Sequence, residues 1–481
     1  MTLPNPNAPH DQTWWGRPSG GREVLRVAAP MVISSLSWTV MTFADRMFLN
    51  RVSGDAMTGA FNAANVWFVL LCLPLGMCAY ANTFIAQYDG ARQTQKIGAI
   101  VWQAVWMAAV FSPLLVAAIP FAASIFALTK HTPKVTAFEI EYFQIICVGA
   151  PAMLVGQAAA AFYSGRGQTQ VVMWTDAAFA LLNVVLDYCW IFGYAGFPEW
   201  GVAGAAWATV VSMWLKAFTY LWLFMQPKYR EPYGTLSGMR VDWRLFGRLL
   251  YFGGPSGLQM VLDVTGFTVF IMLVGRLGAE SAESTNMAFS ISTLAFMPIY
   301  GLHLAVSVLV GERLGENRDD LAARATYTTL QTAWVYMSVI SLLYLFAPGL
   351  FLFGFFPNVK ELSEEQLAVR QLAIVLLRFV AAYNLLDATL MVFAGAIKGA
   401  GDTPFILRVS LVLTVLLATG SWLAVEVLAL SVSGCWVLIT LWVWSAAIIY
   451  AWRFRQGKWR NMRVIETGTA GEANATAVAE K

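Results

Sequence analysis

Residues 27–50 read VAAPMVISSLSWTVMTFADRMFLN, and residues 252–275 read FGGPSGLQMVLDVTGFTVFIMLVG. Each stretch exceeds the roughly 20 apolar residues that a helix needs to cross the hydrocarbon core of a bilayer. Each has a proline near its start and a single carboxylate farther in, Asp45 in the first and Asp263 in the second. Overlaid at an offset of about 225 without a gap, Pro30 falls on Pro255, Leu49-Asn50-Arg51 on Val274-Gly275-Arg276, and Asp55 on Glu280. The match continues into the next helix, where Leu73-Pro74-Leu75 falls on Met297-Pro298-Ile299 and AQYDGAR (86–92) on GERLGEN (311–317). Farther on, Gly165-Arg166-Gly167-Gln168-Thr169 faces Gly399-Ala400-Gly401-Asp402-Thr403, and Gly204 faces Gly434. One unit is therefore written twice, and internal repeats of this kind organise many membrane carriers.

The composition supports that reading across all 481 residues. Hydrophobic residues make up 58% and charged residues only 12%, with a mean hydropathy of +0.61. A soluble domain carries about 25% charged residues, so this chain is an all-α integral membrane protein. Twelve apolar spans can be marked, near 25–50, 60–88, 97–127, 138–163, 171–193, 201–226, 245–275, 285–310, 322–347, 367–394, 404–427 and 430–452. The repeat divides them into two six-helix bundles. Because six crossings return the chain to its starting side, the halves share an orientation and are related by a pseudo-two-fold axis along the membrane normal.

Sidedness follows from the basic residues, since positively charged loops stay in the cytoplasm. Of 31 Lys and Arg residues, 22 lie on the side that carries both ends of the chain. Arg46, Arg51, Lys130, Lys134, Arg276, Lys360 and Arg370 lie on the other side, and Lys216 and Arg378 within the membrane. Both termini are expected in the cytoplasm, in a multi-pass protein of the cytoplasmic (inner) membrane. The domains expected are a cytoplasmic segment 1–24, an N-lobe 25–226, a cytoplasmic inter-lobe loop 227–244, a C-lobe 245–455 and a disordered cytoplasmic tail 456–481. The first 24 residues have no apolar core, so no signal peptide is expected.

Several classes of function drop out. The net charge of +3 is too balanced for a nucleic-acid partner. Without GxxxxGK[ST] or a loop large enough for a nucleotide domain, ATP is not expected as a partner. The five cysteines, Cys72, Cys78, Cys147, Cys189 and Cys435, lie singly in apolar stretches, and the three histidines are scattered. Neither a disulfide framework nor a zinc or haem site is supported, and no cofactor is expected.

The chemistry sits in the intramembrane acids. A charged side chain at the bilayer centre costs about 2.5–3.5 kcal/mol on insertion scales, so each one needs a reason. Asp45, Asp176, Asp187, Asp263, Asp387 and Glu426 qualify. Asp176 and Glu426 lie close to helix ends, where snorkelling or interfacial water can solvate them. The other four lie deep, on helices 1, 5, 7 and 10. Asn183 precedes Asp187 by four residues and Tyr383 precedes Asp387 by four, so each pair shares a helix face. Such oxygen-rich faces suit Na+ or a proton, although polar residues also tie helices together in membranes. His303, on helix 8, is a candidate proton relay or a plain hydrogen-bonding residue.

These features resemble the multidrug and toxic compound extrusion (MATE) family over nearly the whole chain. The resemblance rests on the Pro30-to-Asp45 spacing, on Asn183xxxAsp187 followed by IFG and by FPEWGVAGAAWAT (197–209), on the GRGQT and KGAGDT pair, on the Pro255-to-Asp263 spacing, and on Tyr383xxxAsp387 leading into AGAIKGAGDT. It implies a twelve-helix antiporter exchanging Na+ or H+ for organic, often cationic, compounds between two lobes. Asp45, Asn183 and Asp187 match the N-lobe cation site described for one prokaryotic branch. Asp263, Tyr383 and Asp387 match the C-lobe acidic site of the norfloxacin-efflux branch, which more often has Glu at position 263. The implied Na+ ligands are therefore Asp45, Asn183 and Asp187, or Asp263 and Asp387, with Pro30 and Pro255 as bending points of helices 1 and 7.

The chain is thus read as a transporter and not an enzyme, with small organic substrates, Na+ or H+ and membrane lipid as its partners. A lipid-linked oligosaccharide flippase is the nearest alternative, but it would need several basic residues in the cavity for pyrophosphate. An intramembrane enzyme would need a nucleophile paired with His303, the only candidate base.

Overall fold

A computed structural model describes residues 13–356 and 362–466. Twelve helices among these are long and apolar enough to cross a membrane. In the N-lobe they are α1 (Gly21–Val52), α2 (Gly54–Gly90), α3 (Gln95–Ala127), α4 (Pro133–Ser164), α5 (Thr169–Phe192) and α6 (Gly201–Phe224). In the C-lobe they are α7 (Trp243–Gly275), α8 (Ala279–Gly315), α9 (Asp319–Phe346), α10 (Glu364–Ala400), α11 (Thr403–Val427) and α12 (Val432–Arg455). No strand occurs among the described residues.

Local chemistry sets the helix ends. Ser53 caps α2 by accepting the Ala56 N–H at 3.0 Å. Asp242 accepts the N–H groups of Arg244 and Leu245 at 3.0 and 3.1 Å, opening α7. Ser363 and Gln366 form a reciprocal capping box at the start of α10. Pro30 and Pro255 lie inside α1 and α7, which run through them as unbroken helices in this conformation.

The two lobes repeat the same packing. α1 lies on α5 as α7 lies on α11, α2 lies on α4 as α8 lies on α10, and α4 lies on α6 as α10 lies on α12. Between the lobes the exchange is reciprocal, with α1 packing on α8 and α7 on α2. This is the pseudo-two-fold arrangement that the sequence repeat predicts.

The lobes are joined in the half nearer the chain termini, hereafter the terminal face. There Val24, Val27, Ala28 and Met31 of α1 belong to the apolar core of the C-lobe, while Leu245 and Leu249 of α7 belong to that of the N-lobe. Gly76 and Gly257 bring α2 and α7 so close that a Cβ on Gly76 would lie 2.6 Å from the Gly257 Cα. Tyr80 donates to the Lys398 carbonyl at 2.9 Å and Gln87 to the Gly399 carbonyl at 2.9 Å. Glu23 and Arg313 form an ion pair between α1 and α8. In the far half, the apolar core of the C-lobe contains no N-lobe residue among the described residues.

The segments between and after the lobes are fastened to them. The inter-lobe segment runs under the N-lobe, with Thr235 accepting from Trp102 at 2.6 Å, Met239 from Trp106 at 2.9 Å, and Tyr233 accepting from Arg166 at 2.7 Å. Residues 456–466, expected from composition to begin a disordered tail, are instead ordered. Val464 and Ile465 are buried in the N-lobe core, and Trp459 stacks on Phe454 at 4.6 Å. The rest of that expected tail, 467–481, and half of the expected segment 1–24 (residues 1–12) lie outside the described residues.

Candidate functional site

α1 and α5 lie against one another, and this contact brings Asp45 to the Asn183–Asp187 face. Asp187 and Asn183 are fully buried, and Asp45 is 8% exposed. With its amide nitrogen facing the acids, Asn183 donates to Asp45 Oδ1 at 3.3 Å and to Asp187 Oδ2 at 3.0 Å, while its oxygen accepts the Thr209 N–H at 3.3 Å. The carboxyls of Asp45 and Asp187 are close enough to interact directly, and the Tyr142 hydroxyl of α4 lies beside them. Asp187 Oδ1 is buried without a hydrogen-bond partner. Arg46 is exposed and lies over the Phe61 ring at 4.4 Å. Among the described residues, no Lys or Arg forms an ion pair with Asp45 or Asp187.

Two carboxyls this close in a dry setting cannot both stay ionised without a compensating charge. A shared proton supplies it, and so does a hard cation. The two carboxylates supply oxygen donors of the kind Na+ accepts, while Asn183 turns its amide nitrogen toward them and its oxygen toward the Thr209 N–H. Among the described residues, no group of three or more His, Cys, Asp or Glu side chains could hold a metal ion.

The C-lobe residues fall into two places. Asp263 of α7 accepts from Gln259 at 2.9 Å, with Ser410 of α11 and Lys398 of α10 nearby. Asp387 of α10 lies beside Tyr383, one turn back. No hydrogen bond or ion pair joins Asp263 to Asp387 among the described residues. The reason is the packing: α7 rests on α11, whereas Asp387 is on α10, the counterpart of α4. The carboxylates of the two lobes therefore do not occupy equivalent positions, and only the N-lobe set closes into one cluster.

Asp176 is not a solvated interfacial acid. Ser34 of α1 and Tyr220 of α6 both donate to it, Tyr220 at 2.9 Å, and Lys216 Nζ lies 3.6 Å away. Glu426 pairs with Arg276 at 2.6 Å near the far surface. The Nδ1 of His303 is 2.8 Å from the Met391 carbonyl, and Arg378 is exposed. Reading the sequence missed Thr209, Lys398 and Glu139. Lys398 lies beyond the span expected near 367–394 yet within α10. Glu139 is fully buried and ties α4 to Asn62 and His131 at 2.8 and 2.7 Å. Its position in a polar run near a helix start disguised it.

Twelve spans in two repeated lobes with carboxylates buried within them are the architecture of a multi-pass membrane transporter. The family profile described as MatE matches residues 30–189 and 255–423. The chain belongs to this family. It is similar to the multidrug resistance protein NorM of Burkholderia vietnamiensis, with 26% identity over 436 residues, 90% of this chain and 93% of that relative. It is also similar to the multidrug resistance protein PmpM of Pseudomonas aeruginosa, with 28% identity over 395 residues, 82% of this chain and 80% of that one. Among solved structures, one described as MATE in complex with MaL6 shares the fold at a TM-score of 0.83 and 19% identity, covering 92% of this chain and 98% of that one. Another, described as the outward-facing conformation of a multidrug resistance MATE family transporter of the MOP superfamily, gives a TM-score of 0.82 at 20% identity, covering 92% and 97%.

Proposed function

We propose that this protein is an inner-membrane antiporter, with both termini cytoplasmic, that exports amphipathic and often cationic organic compounds in exchange for Na+ or H+. The observation that carries the proposal is the Asp45–Asn183–Asp187 cluster, two adjoining carboxyls buried in the N-lobe with no Lys or Arg ion-paired to either among the described residues. Taking up one positive charge relieves their repulsion. Asp45 lies on α1, whose first turns are packed into the C-lobe core. Occupancy of the site thereby bears on the helix that joins the lobes, as a coupling ion must if it is to favour one state over another.

In the cycle this implies, the drug enters between the lobes when the cleft opens to the cytoplasm. The lobes then rock so that the terminal face closes, as in the arrangement described above, and the far side opens. The ion binds, the drug leaves, and the ion is carried inward on the return. Asp263 with Gln259 and Lys398, and Asp387 with Tyr383, are the second candidate places for the coupling charge. A pyrophosphate carrier would need several free basic groups, and of the two within the membrane Lys216 lies against Asp176.

The test is uptake of a fluorescent organic cation by proteoliposomes that hold an imposed Na+ or proton gradient. Uptake is expected to collapse with either a Na+ ionophore or a protonophore, which identifies the ion. Uptake driven by neither gradient would refute antiport.

A further inference from the structure

The segment after α12 leaves the C-lobe and ends inside the N-lobe. Gly457, at φ +73°, turns the chain into a short 3-10 helix, Lys458–Asn461. Trp459 is buried there, stacked on Phe454, and donates to the Phe454 carbonyl at 2.8 Å. Arg460 pairs with Asp319 of α9 at 2.8 Å. Up to this point the segment holds only to its own lobe.

It then crosses. Val464 and Ile465, 0% and 6% exposed, enter the apolar core of the N-lobe. The Val464 N–H donates to Gln87 Oε1 at 2.8 Å, and the same amide of Gln87 donates to the Gly399 carbonyl at 2.9 Å. Gln87 is fully buried, so both ends of its side chain are used up in joining α2 to the C-lobe and to the terminal segment. Val464 rests on Gly401, at φ +107°, where an added Cβ would come within 2.8 Å of Val464 Cγ1. Arg248 of α7 donates to the Val464 carbonyl. Glu466 closes the crossing, pairing with Lys96 of α3 at 2.9 Å and Arg248 at 3.4 Å, with the Tyr88 hydroxyl at 3.5 Å.

These contacts bridge the ends of α2, α7 and α10 at the terminal face, where the lobes touch. Moving the lobes apart there would break the bonds to Gln87, Tyr88 and Lys96 and expose two apolar side chains. The segment stays tethered to α12, so rebinding is intramolecular and fast at any protein concentration. We propose that residues 457–466 form a latch that holds the terminal face closed and must let go each time the lobes part on that side. The latch sets the balance between the two access states without touching the cleft or the buried acids. It rests on the reading of the lobes as rocking bodies.

The test reads conformation and not transport. Nitroxide labels are placed at Thr94→Cys and Asp320→Cys, on the terminal-face ends of α3 and α9, in full-length protein in nanodiscs with the native cysteines replaced. Distances are measured by pulsed electron resonance, with and without an organic cation substrate. Two truncations are compared: one ending at Arg463, which removes the crossing, and one ending at Glu466, which keeps it. The first should raise the population with a long inter-lobe distance about fivefold or more over the full chain, the shift expected when a modest tie is lost. The second should match the full chain. A Val464→Asp variant of full length should behave as the first truncation and guards against misfolding of the shortened chain. A long-distance population that is present but equal in all variants would overturn the latch alone. Its absence from every variant, with or without substrate, would overturn the rocking reading as well.

Discussion

Asn183 Nδ2 lies 3.0 Å from Asp187 Oδ2, one helical turn away, while Asp187 Oδ1 has no partner inside the N-lobe. A buried carboxylate oxygen left unbonded costs free energy that a proton or a cation would return. Replacing Asp187 with Asn removes the charge but keeps the shape. Asp187→Asn should leave folding intact and reduce gradient-driven efflux by about a hundredfold or more, since the coupling charge would lose its receptor. Thr209→Val keeps the backbone N–H that holds the Asn183 oxygen, so efflux within about threefold of wild type is expected. Initial efflux rates in reconstituted vesicles check both.

The packing difference between the lobes gives a second expectation. Asp45 and Asp187 share Asn183, so their substitutions should not add: the double variant should be no slower than the worse single one. Asp263 and Asp387 share no partner, so Asp263→Asn and Asp387→Asn should act independently and multiply in the double variant. A double-mutant cycle on efflux rates decides. Strong coupling between Asp263 and Asp387 would mean that they meet in another state.

Asp176 is expected to matter for stability more than for coupling. It accepts from Ser34 and Tyr220 and faces Lys216, so it ties together α1, α5 and α6. Asp176→Asn keeps some of these bonds and should lower the melting temperature, with a loss of about 1–3 kcal/mol. Ion selectivity should stay unchanged. A changed ion preference in that variant would move Asp176 into the coupling machinery.

The terminal segment carries a pH expectation. Burial alone would raise the Glu466 carboxyl, but the hydrogen bond from Lys96 and the charges of Arg248, Lys96 and Arg244 outweigh it and hold Glu466 below the ordinary glutamate range. A carboxyl depressed on folding stabilises above its ordinary value, about 4.3, and that contribution is lost as pH falls through the lower folded value. Protection of the Val464 amide from hydrogen exchange, corrected for intrinsic rate, should hold steady from neutral pH to about 5 and drop below the ordinary glutamate value. Glu466→Gln should show the weaker protection already at neutral pH.

Crowding between the lobes can be tested by adding a side chain. Gly76→Leu would force α2 away from Gly257 and hinder closure of the terminal face. Efflux should be lost with the protein still folded, as judged by monodisperse elution. Retained efflux would mean that α2 and α7 need not meet so closely.

Relations within one helix were the easiest to read. Asn183 and Asp187 share a face because four residues make about one turn, and the same holds for Tyr383 and Asp387. The six-helix repeat was legible because Pro30 and Pro255, with their flanking residues, stay in register over long spans. Relations between helices were not. Thr209 joins the site because α6 packs on α5, and nothing in residues 197–209 announces which side chain will face inward. The family resemblance groups Asp263 and Asp387 in one site, yet α7 packs on α11 while Asp387 is on α10. Val464 and Ile465 are two apolar residues at the head of an Ala- and Glu-rich tail, too short a run to signal burial, and their place depends on a gap between lobes that only the fold creates.

The most direct measurement of the central claim compares wild type, Asp45→Asn and Asp187→Asn in the same proteoliposomes, with binding of the organic cation and its gradient-driven transport measured side by side. Coupling through the Asp45–Asp187 pair predicts that the variants bind substrate within about threefold of wild type, a small free-energy change, while an imposed ion gradient no longer drives transport. Full gradient-driven transport by both variants would contradict it.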